Sequence, residues 1–461
     1  MQVDIPYGPE TLRAELPDDT VTISNTAARA LEPLDDLPAA VRAALAEPLD
    51  SPRLDQLARP GARVTIAFDD PTVPCFGPVR GPTIEVVLEE LESAGVKRED
   101  VTLVCANALH RKFRPQELAH ILGDDLVREF GPRLVCHDAE DGDELVYLGK
   151  TQSGYDVELN RRVVESDLTV YVNSGYNRGF SGGWKSICVG LSTYRSIRHH
   201  HTPDGMSMSI SRNRMHEMLN EMGKVVEAKV PGAIFKVDTV MADPQQAARV
   251  FAGSVWKTRE AVLEVQRGLF PPRRELSVER FDVVVYGVPN WSPYVVFSSM
   301  NPLLTLVSSG LGYLGGTVQA VGKPGCSVVM VTPCPDQWDR VHHASYPDVW
   351  QNVLSQTRDA YEIQRRFADA YAERADLVDK YRHAFAFHPV HAILATYPLR
   401  RLEHVGHVFV AGGQDAEVVR HVGFEPTATV EEALARAAEL HGKDCRVAYV
   451  EQPAAPTKLV A

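Results

Sequence analysis

DLTVYVNSGYNRGFSGGWKSICVGLSTYRSIRHHHT occupies residues 167–202 and carries the most informative group of residues in the chain. Its first part is rich in β-branched residues, which predicts a strand over Asp167–Asn173 that runs into a glycine-rich loop. The loop precedes a single lysine, Lys185, and three consecutive histidines, His199–His201. Glycines let backbone amides approach an anion, a lysine offers a cation or a nucleophile, and imidazoles bind metals or carry protons. We therefore predict a phosphate- and metal-binding site here.

Two upstream segments are also predicted to be strands with polar residues at their ends. RVTIAFDD ends in Asp69 and Asp70 and is followed by Thr72, whereas VTLVCANALH ends at His110. A helical pattern, TIEVVLEELESAG, separates them, so a parallel β-α-β unit is expected. Because ligands bind at the carboxyl ends of parallel strands, we expect these residues to lie close to the glycine-rich loop. The two aspartates could hold a ribose, a metal or a histidine, or could simply be turn residues.

The whole chain of 461 residues predicts an α/β protein with two domains and mainly parallel sheets. A proline-bearing charged segment, VQRGLFPPRRELSVERFD, suggests the boundary. We predict an N-terminal, site-bearing domain over residues 1–275 and a C-terminal α/β domain over residues 276–461. The second domain is expected to begin with the strand FDVVVYGVP.

Composition excludes several classes of function. A formal net charge of −13 gives no electrostatic basis for binding nucleic acid or an anionic membrane. No long apolar run and no signal-peptide pattern are present, so we expect a cytoplasmic protein. The seven cysteines form no CxxC pair, which argues against a thiolate zinc site or a disulfide framework. A homo-oligomer is compatible with the sequence.

The glycine–lysine motif is not that of a nucleotide P-loop. GFSGGWKS has Trp184 directly before the lysine, where a P-loop needs glycine, so ATP or GTP hydrolysis is disfavoured. Three adjacent histidines cannot all face one point, so at most two of them can be ligands of one metal. The alternative interpretation is a surface turn with a solvated lysine and solvated histidines.

Three motifs, in order, resemble those of the nickel-pincer lactate racemase family. RVTIAFDDPTVP resembles the family's strand followed by Asp-x-Thr-Arg-Pro, and ANALHRKFRPQEL resembles its Gly-x-His-Arg segment. FSGGWKSICVGLSTYRSIRHHH is similar to its Ser-Gly-Gly-x-Lys-Ser stretch with a following helix and histidine. The resemblance implies two α/β domains with an active-site cleft between them. It also implies a cofactor, nickel pyridinium-3,5-bisthiocarboxylic acid mononucleotide, whose two sulfur-containing arms hold nickel.

The resemblance implies specific roles for residues of this chain. Lys185 would carry the cofactor as a thioamide, His201 would be the nickel ligand, and His110 would be one of two acid/base histidines. The other residues implied to bind the cofactor are Asp70, Thr72, Ser181, Gly182 and Gly183. In the implied reaction a base takes the hydroxyl proton of a 2-hydroxy acid while C2 passes hydride to the cofactor, and the flat keto acid accepts hydride on either face. The enzymes that build the cofactor are implied partners.

The sequence departs from the family pattern where the substrate would be handled. Val73 occupies the position of the family's arginine, and Gly175 falls at the spacing of the second acid/base histidine. A valine cannot make the bidentate contacts of an arginine. Two further family positions, a glutamine and a lysine, correspond to Val296 and Ser299.

These departures lead to a hypothesis about activity. The chain is predicted to be a racemase or epimerase of a 2-hydroxy acid other than lactate, with Tyr176 or Arg178 as the second acid/base group. One alternative is another hydride-transfer reaction with the same cofactor. A second alternative is a homologue that binds 2-hydroxy acids without catalysis.

Overall fold

A computed structural model describes residues 1–24, 30–175, 179–205, 213–269 and 280–452. The strands are β1 (Gln2–Gly8), β2 (Glu10–Glu15), β3 (Val21–Ser24), β4 (Val64–Asp69), β5 (Val101–Ala106), β6 (Leu134–Cys136), β7 (Leu145–Lys150), β8 (Asp156–Asn160), β9 (Leu168–Gly175), β10 (Ala233–Met241), β11 (Ala247–Gly253), β12 (Phe281–Pro289), β13 (Gly322–Val331), β14 (Val405–Ala411), β15 (Glu425–Thr427) and β16 (Val447–Glu451). The α-helices are α1 (Leu37–Ala46), α2 (Leu54–Leu57), α3 (Arg80–Ser93), α4 (Pro115–Leu122), α5 (Asp124–Phe130), α6 (Arg161–Glu165), α7 (Trp184–Cys188), α8 (Tyr194–Ile197), α9 (Arg214–Lys229), α10 (Val255–Leu269), α11 (Val318–Val321), α12 (Tyr346–Asn352), α13 (Ala360–Ala372), α14 (Ala375–His383), α15 (His391–Leu394), α16 (Ala416–His421) and α17 (Val430–His441).

One compact unit, the six-stranded unit, contains residues 29–270 together with 378–387. Its sheet has the order β11-β10-β9-β4-β5-β6, and all neighbours are parallel except β10 and β11. From β4 the chain continues to β5 and β6 on one side, whereas β9, β10 and β11 lie on the other side. Such a reversal of strand order opens a crevice at the carboxyl ends of the strands, here between β4 and β9.

The central strands of this sheet are buried along their whole length. Every residue of β4 and of β9 is buried, which explains why both segments consist mainly of apolar and β-branched residues. The predicted helix between β4 and β5 is α3, and its apolar stripe, Ile84, Val87, Leu88 and Leu91, is buried. The predicted strands and the mainly parallel α/β class are therefore confirmed.

The second compact unit, the eight-stranded unit, contains residues 1–28, 271–377 and 388–460. Its sheet has the order β15-β14-β13-β12-β1-β2, and β16 pairs with both β12 and β3. The predicted first strand of this unit, FDVVVYGVP, is β12. A π-helix over Leu303–Leu314 follows it.

The two units differ from the predicted division at residues 275 and 276 in two places. The first strand, β1, is parallel to β12, with Tyr7 opposite Val288, so the N-terminal strands belong to the eight-stranded sheet. An unpaired strand edge leaves backbone N–H and C=O groups without hydrogen-bond partners, and the N-terminal strands supply these partners. The second place is 378–387, where the Tyr381 hydroxyl donates to the carbonyl oxygen of Ala108 at 3.3 Å within the six-stranded unit.

None of the helices in the described ranges combines the length and the apolar character that a membrane span requires.

Candidate active site

The carboxyl ends of β9, β4 and β5 lie side by side in the six-stranded sheet, as the sequence led us to expect. Asp70 follows β4 directly, and the glycine-rich loop follows β9. His110 follows β5 after a short turn in which the amide of Ala108 donates to the carbonyl oxygen of Gly190 at 2.9 Å. This turn ties the end of β5 to the chain that follows α7. Polar side chains from three distant parts of the sequence are thus gathered at one edge.

Asp70 and His110 form a hydrogen-bonded pair at this edge. His110 Nδ1 lies 2.8 Å from Asp70 Oδ2, and the Thr72 hydroxyl donates to Asp70 Oδ1 at 2.5 Å. Burial by itself raises the pKa of Asp70, but the proximity of His110 and hydrogen bonds from His110 and Thr72 leave that pKa below its ordinary value. Asp70 is therefore ionised at neutral pH and can only accept, so His110 donates from Nδ1. In the neutral ring Nε2 is then the basic nitrogen.

The two members of this pair differ in exposure. The Asp70 side chain is 3% exposed, whereas that of His110 is 23% exposed. The imidazole also packs edge-on against the Phe387 ring, with centroids 5.8 Å apart. The buried carboxylate therefore fixes the orientation of a histidine that a small molecule can still reach.

Lys185 lies in α7 and its side chain is half-buried. Its ammonium nitrogen lies 4.3 Å from the centroid of the Phe180 ring. Burial lowers the pKa of Lys185 to about 8, and the carboxylates of Asp69 and Asp70 offset only part of this effect. More of this amine is therefore unprotonated at neutral pH than in an exposed lysine, and the unprotonated amine is the nucleophilic form.

The three consecutive histidines have different surroundings. His199 Nε2 lies 3.0 Å from Asp156 Oδ2, and His200 is fully buried with its Nδ1 2.8 Å from His201 Nδ1. Burial, together with the nearby charges of Lys185 and His110, lowers the pKa of the half-buried His201 to about 3. His201 is therefore a neutral imidazole at physiological pH, which is the form that ligates a metal.

The glycine-rich loop before Lys185 is held by side chains of α9 and α10. Arg259 of α10 donates to the carbonyl oxygens of Gly179 and Ser181, at 2.8 and 2.6 Å. His216 Nε2, from α9, donates to the carbonyl oxygen of Phe180 at 3.0 Å. These contacts were not predicted from the sequence, because nothing in the local pattern relates two distant helices to the loop.

Two glycines let the loop pass close to Arg259. Gly182 and Gly183 have φ angles of 84° and 58°, which are unfavourable for other residues. A Cβ atom on Gly183 would lie only 2.3 Å from Arg259 Cδ. The glycine-rich sequence is therefore required by both backbone conformation and space.

Replacing Gly183 by alanine is expected to destabilise the chain and displace the loop. The left-handed backbone conformation costs about 1–2 kcal/mol for a residue with a Cβ, and the clash with Arg259 adds to this. Gly61→Ala is the matched control, because Gly61 also has a positive φ, 77°, but has no neighbour within 4 Å of the added Cβ. Urea unfolding should show a larger loss for Gly183→Ala than for Gly61→Ala. Equal losses would contradict the close packing against Arg259.

A buried ion pair lies next to this loop and was missed in the sequence. Lys236 Nζ lies 3.2 Å from Asp238 Oδ1, and both side chains are almost fully buried. Lys236 also donates to the Ser186 hydroxyl at 2.7 Å, and that hydroxyl donates to Asn173 Oδ1 at 3.1 Å. This chain of contacts joins β10, α7 and β9. Its sequence signal is a lysine and an aspartate two residues apart in an apolar strand, which places both on one face.

The remaining predicted site residues are distributed as follows. The Ser181 hydroxyl oxygen is buried and has no hydrogen-bond partner among the residues that the structure describes. Asp69 points away from His110, because it accepts from the Tyr171 hydroxyl at 3.0 Å and from the amide of Ser174 at 2.7 Å. Tyr176 and Arg178 lie outside the described residues, so their predicted role as second acid/base group stays a prediction.

The residues present fit the cofactor that the resemblance implies. In the described ranges, no three His, Cys, Asp or Glu side chains are grouped as a metal site built from protein ligands alone would require. A nucleotide whose own sulfur atoms hold nickel needs only an attachment lysine and one imidazole from the protein. Lys185, with its lowered pKa, and the neutral His201 are suited to these two tasks.

Residues 7–213 match the family model described as the lactate racemase N-terminal domain. The chain is thus similar to the lactate racemase family over this part of its sequence, as a divergent relative.

Individual relatives show how divergent the chain is. It is 26% identical over 260 residues to the lactate racemase of Lactiplantibacillus plantarum, an alignment that covers 55% of this chain and 59% of that relative. It is 27% identical over 261 residues to the lactate racemase of Thermoanaerobacterium thermosaccharolyticum, covering 54% of this chain and 59% of the relative. The aligned part of the chain thus spans little more than half the length of these curated relatives.

Two solved structures share the fold. The lactate racemase apoprotein from T. thermosaccharolyticum superposes with a TM-score of 0.70 at 20% identity, covering 100% of both chains. A Thermotoga maritima protein solved in a structural genomics programme superposes with a TM-score of 0.52 at 13% identity, covering 92% of this chain and 100% of that chain. These likenesses support the α/β fold.

Proposed function

We propose that the chain is a racemase or epimerase of a 2-hydroxy acid, acting by reversible hydride transfer to a nickel-pincer nucleotide attached at Lys185. The observation that carries the proposal is the gathering of Lys185, His201 and the Asp70–His110 pair around one sheet edge. The match of residues 7–213 to the lactate racemase N-terminal domain supports the same class of reaction. Val73, in place of the family's arginine, supports a substrate other than lactate.

The side chains at this edge suit the two transfers that the reaction needs. The C2 hydrogen of a 2-hydroxy acid is only weakly acidic, which favours its transfer with its electron pair over proton abstraction. When bound, the nucleotide would supply a reversible hydride acceptor. As hydride leaves C2, His110 takes the hydroxyl proton at Nε2, and Asp70 stabilises the imidazolium. The resulting keto acid is planar at C2. Both faces of this planar carbon could accept hydride while His110 returns the proton to oxygen, so either enantiomer could form.

A second candidate function uses the same nucleotide for a different hydride transfer. Without the arginine at position 73, a substrate carboxylate has one bidentate cation fewer to bind it. A hydroxyl-bearing substrate that lacks a carboxylate is therefore the alternative.

The test uses the full chain, produced together with the enzymes that build the nucleotide. Enantiopure 2-hydroxy acids with deuterium at C2 are offered as a panel of aromatic, dicarboxylic and sugar acids. We expect the opposite enantiomer of at least one acid to form with its C2 deuterium retained, and chain without nucleotide serves as the control.

The other outcomes of this test contradict the proposal in different ways. Exchange of C2 deuterium with solvent would indicate proton abstraction at carbon. Oxidation or reduction without racemisation would favour the second candidate function. Binding of the acids without any hydride exchange would identify a non-catalytic homologue.

A further inference from the structure

The loop before Lys185 carries three carbonyl groups that are all engaged by side chains. Arg259 binds the carbonyl oxygens of Gly179 and Ser181 with the two ends of one guanidinium. The carbonyl oxygen of Gly179 also accepts from Asn213 Nδ2 at 3.0 Å, and that of Phe180 accepts from His216 Nε2. These three donors come from the start of α9 and from α10, so the carbonyl groups are held from the side of those two helices.

The directions of these carbonyl groups also fix the directions of the amides that follow them, because the peptide bonds are trans. The carbonyl of one residue and the N–H of the next point in opposite directions across the planar unit. The amides of Phe180 and Gly182 therefore point away from the Arg259 guanidinium, and the amide of Ser181 points away from His216. Within the described part of the chain, none of these three amides donates a hydrogen bond. They are consecutive, which is the arrangement of an anion-binding nest.

Two further features favour an anion at this nest. The Ser181 hydroxyl oxygen is buried without a partner among the described residues, so it can donate to the same ligand. The Lys185 ammonium lies against the Phe180 ring, which brings a cation next to the amides. A phosphate monoester has the oxygen atoms to accept from several amides and a hydroxyl at once.

We propose that Arg259 and His216 are positioning residues that turn the amides of Phe180, Ser181 and Gly182 outward to bind the phosphate of the nucleotide. This rests on the proposed function for the identity of the nucleotide. It goes beyond the sequence-based expectation, which included Ser181, Gly182 and Gly183 among the cofactor-binding residues but neither of the two helices. Arg259 acts through the loop, because its own N–H groups are used on carbonyl oxygens.

The test measures binding of a pyridinium mononucleotide without sulfur arms, nicotinic acid mononucleotide, to the full chain without nickel. The corresponding riboside, which lacks the phosphate, is the second probe. Calorimetry should show that Arg259→Met lowers the affinity for the mononucleotide at least about 10-fold and leaves the affinity for the riboside unchanged, because only the phosphate binds the nest. Lys257→Met is the matched control, since Lys257 lies on the same helix, is exposed and pairs only with Glu260 at 2.8 Å among the described residues.

Arg259→Lys separates charge from geometry. Lysine keeps the positive charge but cannot bind two carbonyl groups in a fixed geometry. The affinity of Arg259→Lys for the mononucleotide is therefore expected to be as low as that of Arg259→Met. Full affinity in Arg259→Lys would show that charge alone matters and would overturn the positioning role. Equal losses for both probes would also overturn it, because they would indicate general damage. If the riboside binds as well as the mononucleotide to the unaltered chain, no phosphate site exists at the loop.

These results are separable from the proposed function. Hydride transfer and attachment at Lys185 can fail while the phosphate discrimination holds, and the reverse is equally observable. His216→Gln supplies an independent variant, because glutamine can still donate to the carbonyl oxygen of Phe180 and should retain most of the preference for phosphate.

Discussion

Replacing Lys185 by arginine is expected to abolish covalent attachment of the nickel-pincer nucleotide and, with it, all turnover. Arginine keeps the positive charge at this position, but its guanidinium stays protonated and is not a nucleophile. Burial lowers the pKa of Lys185 to about 8, so the native amine has an appreciable unprotonated fraction near neutral pH. Intact-protein mass after production with the cofactor-making enzymes should show the adduct in the native chain and none in Lys185→Arg.

Lys257→Arg is the matched control for this experiment. Lys257 is exposed on α10 and pairs with Glu260, so its replacement should leave both the adduct and the activity unchanged. An adduct of full mass on Lys185→Arg would place the attachment elsewhere in the chain. The native chain without any adduct, after production with active cofactor-making enzymes, would contradict the proposed cofactor itself.

Replacing His110 by glutamine is expected to lower turnover by roughly 10²–10⁴-fold while the adduct at Lys185 still forms. Glutamine cannot take a proton at neutral pH, so the hydroxyl proton of the substrate has no acceptor at this position. Asp70→Asn should also lower turnover, because a neutral amide does not stabilise the imidazolium and does not enforce the Nδ1–H tautomer. The measurement is kcat for the substrate found in the isotope screen.

The control for the second prediction is His120→Gln. His120 lies in the last turn of α4 and is exposed, so its replacement should not alter kcat. Intact-mass analysis of each variant reports whether nucleotide loading is preserved. Turnover of His110→Gln within a factor of a few of the native chain, at equal loading, would remove His110 from the proposed proton transfer.

Local sequence patterns were sufficient for the elements that frame the site. β4, β5 and β9 are continuous apolar and β-branched runs, since both faces of a parallel sheet are covered. α3 has the helical spacing of its buried residues, and Thr429 caps α17, because its side chain accepts from the amide of Glu432. In each of these cases the information lies within one short segment.

Chain-order patterns could not reveal which distant segments meet. The pairing of β1 with β12 places Tyr7 opposite Val288, far away in the sequence, and neither strand has a local feature that indicates its partner. The same holds for Arg259 and His216, which reach the glycine-rich loop from two helices far along the sequence. The strand pairing and the contacts of these two side chains both depend on how the chain is arranged in three dimensions.

The candidate site also combines features that the sequence predicts with features that only the tertiary structure determines. By itself, the sequence determined that a glycine-rich loop, Lys185 and a histidine cluster follow one strand, and that aspartates and His110 follow two others. Only the tertiary structure decided that His110 binds Asp70 while Asp69 binds Tyr171 and the amide of Ser174. The physical reason is that successive side chains of an extended strand point in opposite directions, so the neighbours on each side of the sheet select which aspartate is free to pair with the histidine.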